Sequence, residues 1–171
     1  MTSILQYINL KTEHHGISIL RISVGIVFFW FGFLKFFGAT SPAEEIASQT
    51  IAFLTFDMVP SGISLPLLAV LECIIGLGIL TKWLMRFVIP LLYFQMAGAV
   101  LPLFIFPDET WEMVPFVPTL LGQYIIKNCV LISAAIVLGV VSKGGKLIAD
   151  PEVAEKAEAV EDEKKKLGLD R

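Results

Sequence analysis

The sequence predicts an all-α integral membrane protein: a bundle of four transmembrane helices with a short amphipathic outer helix and a polar cytosolic tail. Of its 171 residues, 56% are hydrophobic and 17% are charged, and the mean hydropathy is +0.77. That is more apolar material than one soluble core of this size would bury. Four apolar stretches are each long enough to cross a bilayer, which takes roughly 20 residues. The charges, in contrast, are concentrated in the tail.

The predicted spans define one transmembrane domain, residues 16–142, between an N-terminal cytoplasmic segment, 1–15, and a charged cytoplasmic tail, 143–171. The first span is too long for the apolar region of a cleavable signal, so we expect it to remain as an anchor. The second and third spans are nearly continuous and require a tight hairpin around Lys82, Trp83 and Arg86. The four predicted spans are residues 16–37, 64–83, 84–106 and 119–141.

The orientation follows from the lysines and arginines near the ends of the spans. One side carries Lys11, Lys82, Arg86, Lys143 and Lys146, whereas the opposite loops, 38–62 and 107–118, contain neither lysine nor arginine. The positive-inside rule therefore predicts that both termini are cytoplasmic.

The first outer loop contains its own helix signal over residues 42–56. Ser41 is suited to the N-cap, Pro42 to the first helical position and Glu44 to the third, which together form a capping box. Apolar residues follow at helical spacing, so we expect an amphipathic helix on the outer interface. It is interpreted either as a lid that covers the bundle or as a gate over a ligand cavity.

Helix one carries a stripe of polar and small residues that recurs at steps of three and four. The glycines of this stripe, Gly25 and Gly32, would let another helix approach closely, and Arg21 and Lys35 add a cation at each end. The two cations are about 21 Å apart along the helix. Each can therefore extend its charge to a headgroup layer, and their position beside the glycines leaves a functional role open.

Two charges are predicted deep in the membrane. Glu72 and Lys127 each lie eight residues into their predicted spans, about 12 Å below the outer boundary. A single charge at this depth costs roughly 2.5–3.5 kcal/mol on insertion scales. Equal depth and opposite charge predict that they form a pair, either an ion pair or a neutral pair that shares one proton.

Two amides complete the predicted intramembrane polar cluster of Glu72, Gln95, Gln123 and Lys127. Gln95 is midway along helix three, and Gln123 lies one turn outward from Lys127. The cluster is interpreted either as polar contacts that hold the helices together or as a ligand or proton site.

Several function classes find no support in the sequence. The basic residues form no patch suited to nucleic acid. Cys73 and Cys129 are single cysteines in separate apolar helices, and His14 and His15 are the only histidines, so no metal site is expected. There is no H-E-x-x-H, P-loop or G-x-S-x-G motif. A self-contained enzyme is therefore not expected, and no catalytic residue is assigned.

Three segments, "RISVGIVFFWFGFLKFF", "LECIIGLGILTKWLMR" and "GQYIIKNCVLISAAIVLG", carry a resemblance to a known family. They resemble the DoxX-like family of small four-helix membrane proteins over most of residues 16–142. The resemblance implies a subunit or accessory of a membrane oxidoreductase or of an oxidative-stress-response complex. For such a role, quinone is a possible cofactor. It also implies the bacterial inner (plasma) membrane as the location.

Three functions stay open from the sequence. The first is an accessory, quinone-facing subunit of a membrane oxidoreductase. The second is a small solute transporter or channel, which would require a homo-oligomer because four helices make a narrow bundle. The third is a structural or assembly factor that receives a partner's helix on its glycine stripe.

Overall fold

The computed structural model is helical over most of its length and describes the backbone of residues 2–37, 42–145, 152–153, 155–156 and 159–160. Four segments are long and apolar enough to span a membrane: His15–Lys35, Ser61–Thr81, Met85–Ile105 and Leu120–Ser142. This confirms the predicted all-α four-helix membrane architecture. The elements are α1 (Thr2–Lys35), α2 (Pro42–Leu54), α3 (Ser61–Thr81), α4 (Met85–Val100), α5 (Pro102–Ile105), α6 (Pro107–Thr110), β1 (Trp111–Met113), β2 (Val117–Pro118), α7 (Leu120–Ile126) and α8 (Asn128–Ser142).

Some sequence predictions fall outside this description. Ser41, the predicted N-cap of α2, is outside the described residues, as is the side chain of His14. Most of the predicted tail, 143–171, is outside them too. The N-terminal segment is helical from Thr2 and continuous with the first span.

The long helices pack in antiparallel pairs. α1 packs on α3, α3 forms a hairpin with α4, and α4 packs on α8. Apolar side chains from all four helices form one core, while large side chains such as Trp30, Phe31 and Phe94 point outward and are 57–72% exposed. Such an apolar outer surface is suited to lipid. The buried core consists of Val24, Phe28, Ile75, Ile79, Val88, Ile89, Leu92, Met96, Ala134, Ala135 and Leu138.

A three-residue connection joins α3 to α4, as the near-continuous apolar sequence requires. Lys82 and Leu84 have φ angles of 59° and 51°, so the chain reverses through two left-handed residues. The Thr81 hydroxyl accepts a hydrogen bond from the Trp83 amide at 3.3 Å and stabilises the turn. We call this end of the bundle the hairpin side.

The opposite end of the bundle, here called the α2 side, is covered by α2. This helix contacts α3, α5 and α7, and it buries Ile46 and Thr50. Phe53 at its C-terminal end meets Phe106 edge to face, with ring centroids 6.1 Å apart. α2 therefore lies across the ends of the spanning helices.

The second loop on the α2 side is ordered, which the sequence analysis did not predict. α5 and α6 are single turns that each begin with a proline, and β1 pairs with β2 in an antiparallel hairpin. The indole N–H of Trp111 donates to the Leu103 carbonyl at 3.1 Å. The Thr119 hydroxyl then caps α7 by accepting from the Gly122 amide at 3.1 Å. These contacts fix the start of the fourth span.

Candidate functional site

The close approach of α1 to α3 creates the candidate site. A Cβ built on Gly32 would lie 2.8 Å from the Glu72 Cβ and 2.9 Å from the Cys73 backbone nitrogen. At Gly76 it would overlap the backbone of Phe29. Only glycine permits backbones to approach this closely. The predicted stripe of small residues on α1 is thus a helix-packing surface, and Glu72 lies against it.

Helix geometry directs Lys35 and Glu72 towards each other. Side chains lean towards the N-terminus of their helix, and α1 and α3 are antiparallel. Lys35, the last residue of α1, therefore leans into the bilayer, while Glu72 leans from the middle of α3 towards the α2 side. Their Nζ and Oε2 atoms are 2.5 Å apart. The side chains are 13% and 12% exposed, so the ion pair is largely enclosed by protein.

Gln95 on α4 is the third member of this site. Its Nε2 donates to Oε1 of Glu72 at 3.1 Å, so each carboxylate oxygen of Glu72 has one donor. Glu72 is eleven residues from Ser61 and nine from Thr81, about 16 and 14 Å along α3. The cluster of Lys35, Glu72 and Gln95, which we call the polar triad, therefore lies near the middle of the span, and the lean of the Glu72 side chain directs its carboxylate towards the α2 side.

The triad offsets the penalty of placing a charge at this depth. An isolated carboxylate near mid-membrane costs roughly 2.5–3.5 kcal/mol on insertion scales, and a paired one with both oxygens hydrogen-bonded costs less. The triad is chemically versatile, because an ammonium, a carboxylate and an amide can together donate, accept and exchange protons. It also links three helices, α1, α3 and α4, so it contributes to their packing.

Lys127 and Gln123 are not part of this cluster, which corrects the predicted pairing of Glu72 with Lys127. Both side chains are exposed, and the Lys127 Nζ lies over the Tyr124 ring, 4.7 Å from its centroid. Gln95 and Glu72 do meet as expected. The cation that neutralises Glu72 is Lys35, which the sequence analysis had assigned to the helix-one stripe.

The helix register explains why Lys127 lies elsewhere. The Tyr93 hydroxyl donates to the Ala135 carbonyl at 3.2 Å, which aligns α4 with α8. α4 and α8 are antiparallel, so residues that precede Ala135 are level with residues that follow Tyr93. Lys127 precedes Ala135 by eight residues and is therefore level with Leu101, which follows Tyr93 by eight. Leu101 is six residues beyond Gln95, so Lys127 is about 9 Å closer to the α2 side than the triad. Its side chain leans further in that direction.

Arg21, at the other end of the helix-one stripe, has a capping role. Its guanidinium donates to the carbonyls of Ile79 and Leu80 at 3.2 and 3.1 Å. These carbonyls belong to the last turn of α3, where no amide of the same helix can reach them. Arg21 is half-buried and satisfies them, and its positive charge also suits the negative end of the helix dipole. It fixes α1 against α3 on the hairpin side.

The two cysteines lie apart from the triad's hydrogen bonds. Cys73 is half-buried and its Sγ is 3.9 Å from the Phe29 carbonyl, while Cys129 is exposed, and both are free thiols. Within the described residues, no group of three or more histidine, cysteine, aspartate and glutamate side chains is arranged to hold a metal ion.

The ion pair had a signal in the sequence. Lys35 is three residues beyond Gly32, on the same face of α1, and a glycine on that face marks where α3 comes closest. Had the lean of helical side chains been considered together with depth, Lys35 would have been the better partner for Glu72.

Comparison with known proteins agrees with this architecture. The family model for DoxX matches residues 16–107, which are 92 of the 171 residues and include all three members of the triad. No curated protein and no solved structure gives a significant match. With more than half of its length matched, and with four helices suited to a bilayer, the chain belongs to the DoxX family of membrane proteins.

Proposed function

We propose that this protein is an accessory subunit of a membrane oxidoreductase or of an oxidative-stress-response complex, and that its polar triad faces a quinone. The observation that carries the proposal is the enclosed Lys35–Glu72 ion pair with Gln95 beside it. Apolar and small residues are sufficient to pack membrane helices. Ionisable groups within a membrane, in contrast, mark ligand sites and proton pathways.

The donors of the triad fit a quinone headgroup, whose two carbonyl oxygens accept hydrogen bonds. The Lys35 ammonium has three N–H donors and the Gln95 amide has two, and each donates one to Glu72. Each therefore retains a donor for a ligand. A bound quinone supplies an acceptor for two electrons and two protons. Lys35 and Gln95 would orient it, and the Glu72 carboxylate would hold or release a proton beside it.

The proposal assigns the electron-transferring centre to a partner subunit. This is consistent with a chain whose described residues contain a proton-exchanging group but no cluster of metal ligands. Family membership supports the same role, because the family resemblance implies subunits and accessories of membrane oxidoreductases.

We further propose that the protein lies in the inner membrane of a bacterium with both termini in the cytoplasm. Lys82 and Arg86 are on the hairpin side, while the loops on the α2 side, 38–62 and 107–118, contain neither lysine nor arginine. In this orientation α2 lies on the outer face, and the Glu72 side chain leans towards the outer half of the bilayer.

The test is purification of the native protein in a mild detergent, with identification of every copurifying protein, quinone and lipid. We expect a redox subunit in stoichiometric amount together with quinone. Glu72→Gln should keep the fold but lower quinone content and the activity of the complex. Ser133→Ala is the control, because the Ser133 hydroxyl bonds only to the Cys129 carbonyl of its own helix. A protein that purifies with lipid alone, and whose Glu72→Gln variant functions normally, would refute the proposal.

A second candidate is solute transport, which is favoured by two helix interruptions at one level. The helical hydrogen-bond pattern breaks at Leu101, between α4 and α5, and at Lys127, between α7 and α8, while both residues keep right-handed helical φ and ψ angles. Interrupted helices line the substrate sites of many transporters. Solute flux in liposomes that is abolished by Glu72→Gln would support transport over the accessory role.

A further inference from the structure

Lys127 has an environment unlike that of any other charged residue in the described spans. Arg21 and Lys35 are half-buried and Glu72 is buried, while the exposed His15 and Arg86 are within two residues of a span end. Lys127 is seven residues into the span Leu120–Ser142 and is exposed on the lipid-facing surface. It makes no ion pair within the described residues. Its charge therefore faces the bilayer without a carboxylate from the described residues.

The residues around Lys127 form a row of hydrogen-bond donors directed towards the α2 side. Its Nζ lies over the Tyr124 ring, one turn nearer that side, and the exposed Gln123 is also one turn nearer, on the same face. Tyr124 is 55% exposed. The row contains an ammonium, a phenol and an amide, all of which can donate to oxygen.

We propose that this surface, formed by Gln123, Tyr124 and Lys127, binds the phosphate of an anionic phospholipid from the leaflet on the α2 side. An ammonium and neutral donors suit phosphate oxygens. Side chains on α7 lean towards that leaflet, so the Lys127 charge extends from the apolar region to the headgroup layer. Lipid phosphates fill this headgroup layer throughout the leaflet, so one is next to the ammonium without any protein partner. Neither Lys35 nor Glu72 contributes to this surface, so it is separate from the triad.

The experiment uses the full chain in nanodiscs of phosphatidylcholine with a minor fraction of phosphatidylglycerol, and native mass spectrometry counts the bound lipids. We expect the wild type to retain phosphatidylglycerol in preference to phosphatidylcholine. Lys127→Gln should lower that preference about fivefold, the factor expected for one cation near an anionic lipid surface. Lys127→Arg should preserve the preference because it keeps the charge. Ser133→Leu, an exposed change further along the same span, should also leave it unchanged.

Three results would overturn the proposal. The first is a wild type without preference for phosphatidylglycerol, a measurement that needs no variant. The second is a Lys127→Gln variant that retains the lipid normally but loses an oligomer or a copurifying subunit, which would assign Lys127 to a partner's carboxylate. The third is saturable binding of inorganic phosphate to wild type in pure phosphatidylcholine discs, which would replace the lipid with a soluble anion.

Discussion

Replacing Lys35 with methionine removes the counter-ion of Glu72 while keeping most of the side-chain volume. Glu72 then has Gln95 as its remaining hydrogen-bond donor, in a site where the carboxylate side chain is 12% exposed. An unpaired charge near mid-membrane costs roughly 2.5–3.5 kcal/mol, and the donor from Gln95 recovers part of this. We expect Lys35→Met to lower the free energy of unfolding by about 2 kcal/mol, which is about thirtyfold in the ratio of folded to unfolded protein.

The reverse substitution should be milder, because the two charges differ in their access to water. Lys35 is three residues beyond Gly32, which is level with Glu72, so Lys35 lies about 4.5 Å nearer the α2 side, and its long side chain can extend further in that direction when Glu72 is neutral. Glu72 is about 16 and 14 Å from the two ends of its helix, and its shorter side chain cannot reach a headgroup layer. We therefore expect Glu72→Gln to lower the free energy of unfolding by about 1 kcal/mol. The double variant should be more stable than Lys35→Met alone, since it contains no isolated carboxylate.

The assay is unfolding in mixed micelles by increasing sodium dodecyl sulfate, followed by far-ultraviolet circular dichroism. Lys127→Met is the matched control, and it should change stability little because Lys127 is exposed and unpaired within the described residues. The ion pair is refuted if the free energy of unfolding of Lys35→Met is within about 0.5 kcal/mol of the wild-type value. It is also refuted if the double variant shows the sum of the effects of Lys35→Met and Glu72→Gln. Coupling of Glu72 to Lys127 instead would restore the pairing predicted from the sequence.

Three other outcomes are expected. Gly76→Ala should lower the free energy of unfolding by about 1–3 kcal/mol in the same assay, because the added Cβ would overlap the Phe29 backbone. Gly98→Ala should be neutral or stabilising, because the space around its Cβ is open. Arg21→Met should reduce stability by about 1–2 kcal/mol, since two carbonyls at the end of α3 lose their donor, and Arg21→Lys should recover part of the loss. In a cysteine-free background, Glu109→Cys should react with a membrane-impermeant maleimide on intact cells and Lys82→Cys should not. The opposite labelling pattern would contradict the proposed orientation.

The spans could be predicted because hydropathy depends on composition over many residues. The predicted spans 64–83, 84–106 and 119–141 begin and end within three residues of Ser61–Thr81, Met85–Ile105 and Leu120–Ser142, whereas α1 is continuous from Thr2 through the predicted start of the first span at residue 16. α2 was predicted over 42–56 and ends at Leu54, where Thr55 to Met58 turn away from helical geometry. Lipid requires each span to be apolar over about 20 residues. A few polar residues within such a long segment therefore do not obscure its apolar character.

The order of the second loop on the α2 side could not be predicted in the same way. Its hairpin pairs three residues with two, too few for an alternating pattern to appear. What holds the loop are single contacts, such as the Trp111 indole on the Leu103 carbonyl and the Thr119 hydroxyl on the Glu109 carbonyl. These contacts depend on the third and fourth spans being adjacent, which is a tertiary property.

The different positions of Lys35 and Lys127 show what a depth argument requires. Counted from the observed helix starts, Glu72 is eleven residues into its span and Lys127 is seven, a difference of about 6 Å where equal depth was predicted, and the alignment of α4 with α8 through Tyr93 gives about 9 Å. The direction in which a side chain leans matters as much as its depth. α1 and α3 are antiparallel, so the side chains of Lys35 and Glu72 lean towards each other. α3 and α7 instead run in the same direction, so the side chains of Glu72 and Lys127 lean the same way and keep their separation. A buried acid on a membrane helix leans towards the surface at which its own helix begins. The first cation to consider as its partner is therefore on an antiparallel neighbouring helix and lies closer to that same surface than the acid does. In this chain Lys35 meets that condition, and Gly32, one turn from it, lets the two helices come close enough for the pair to form.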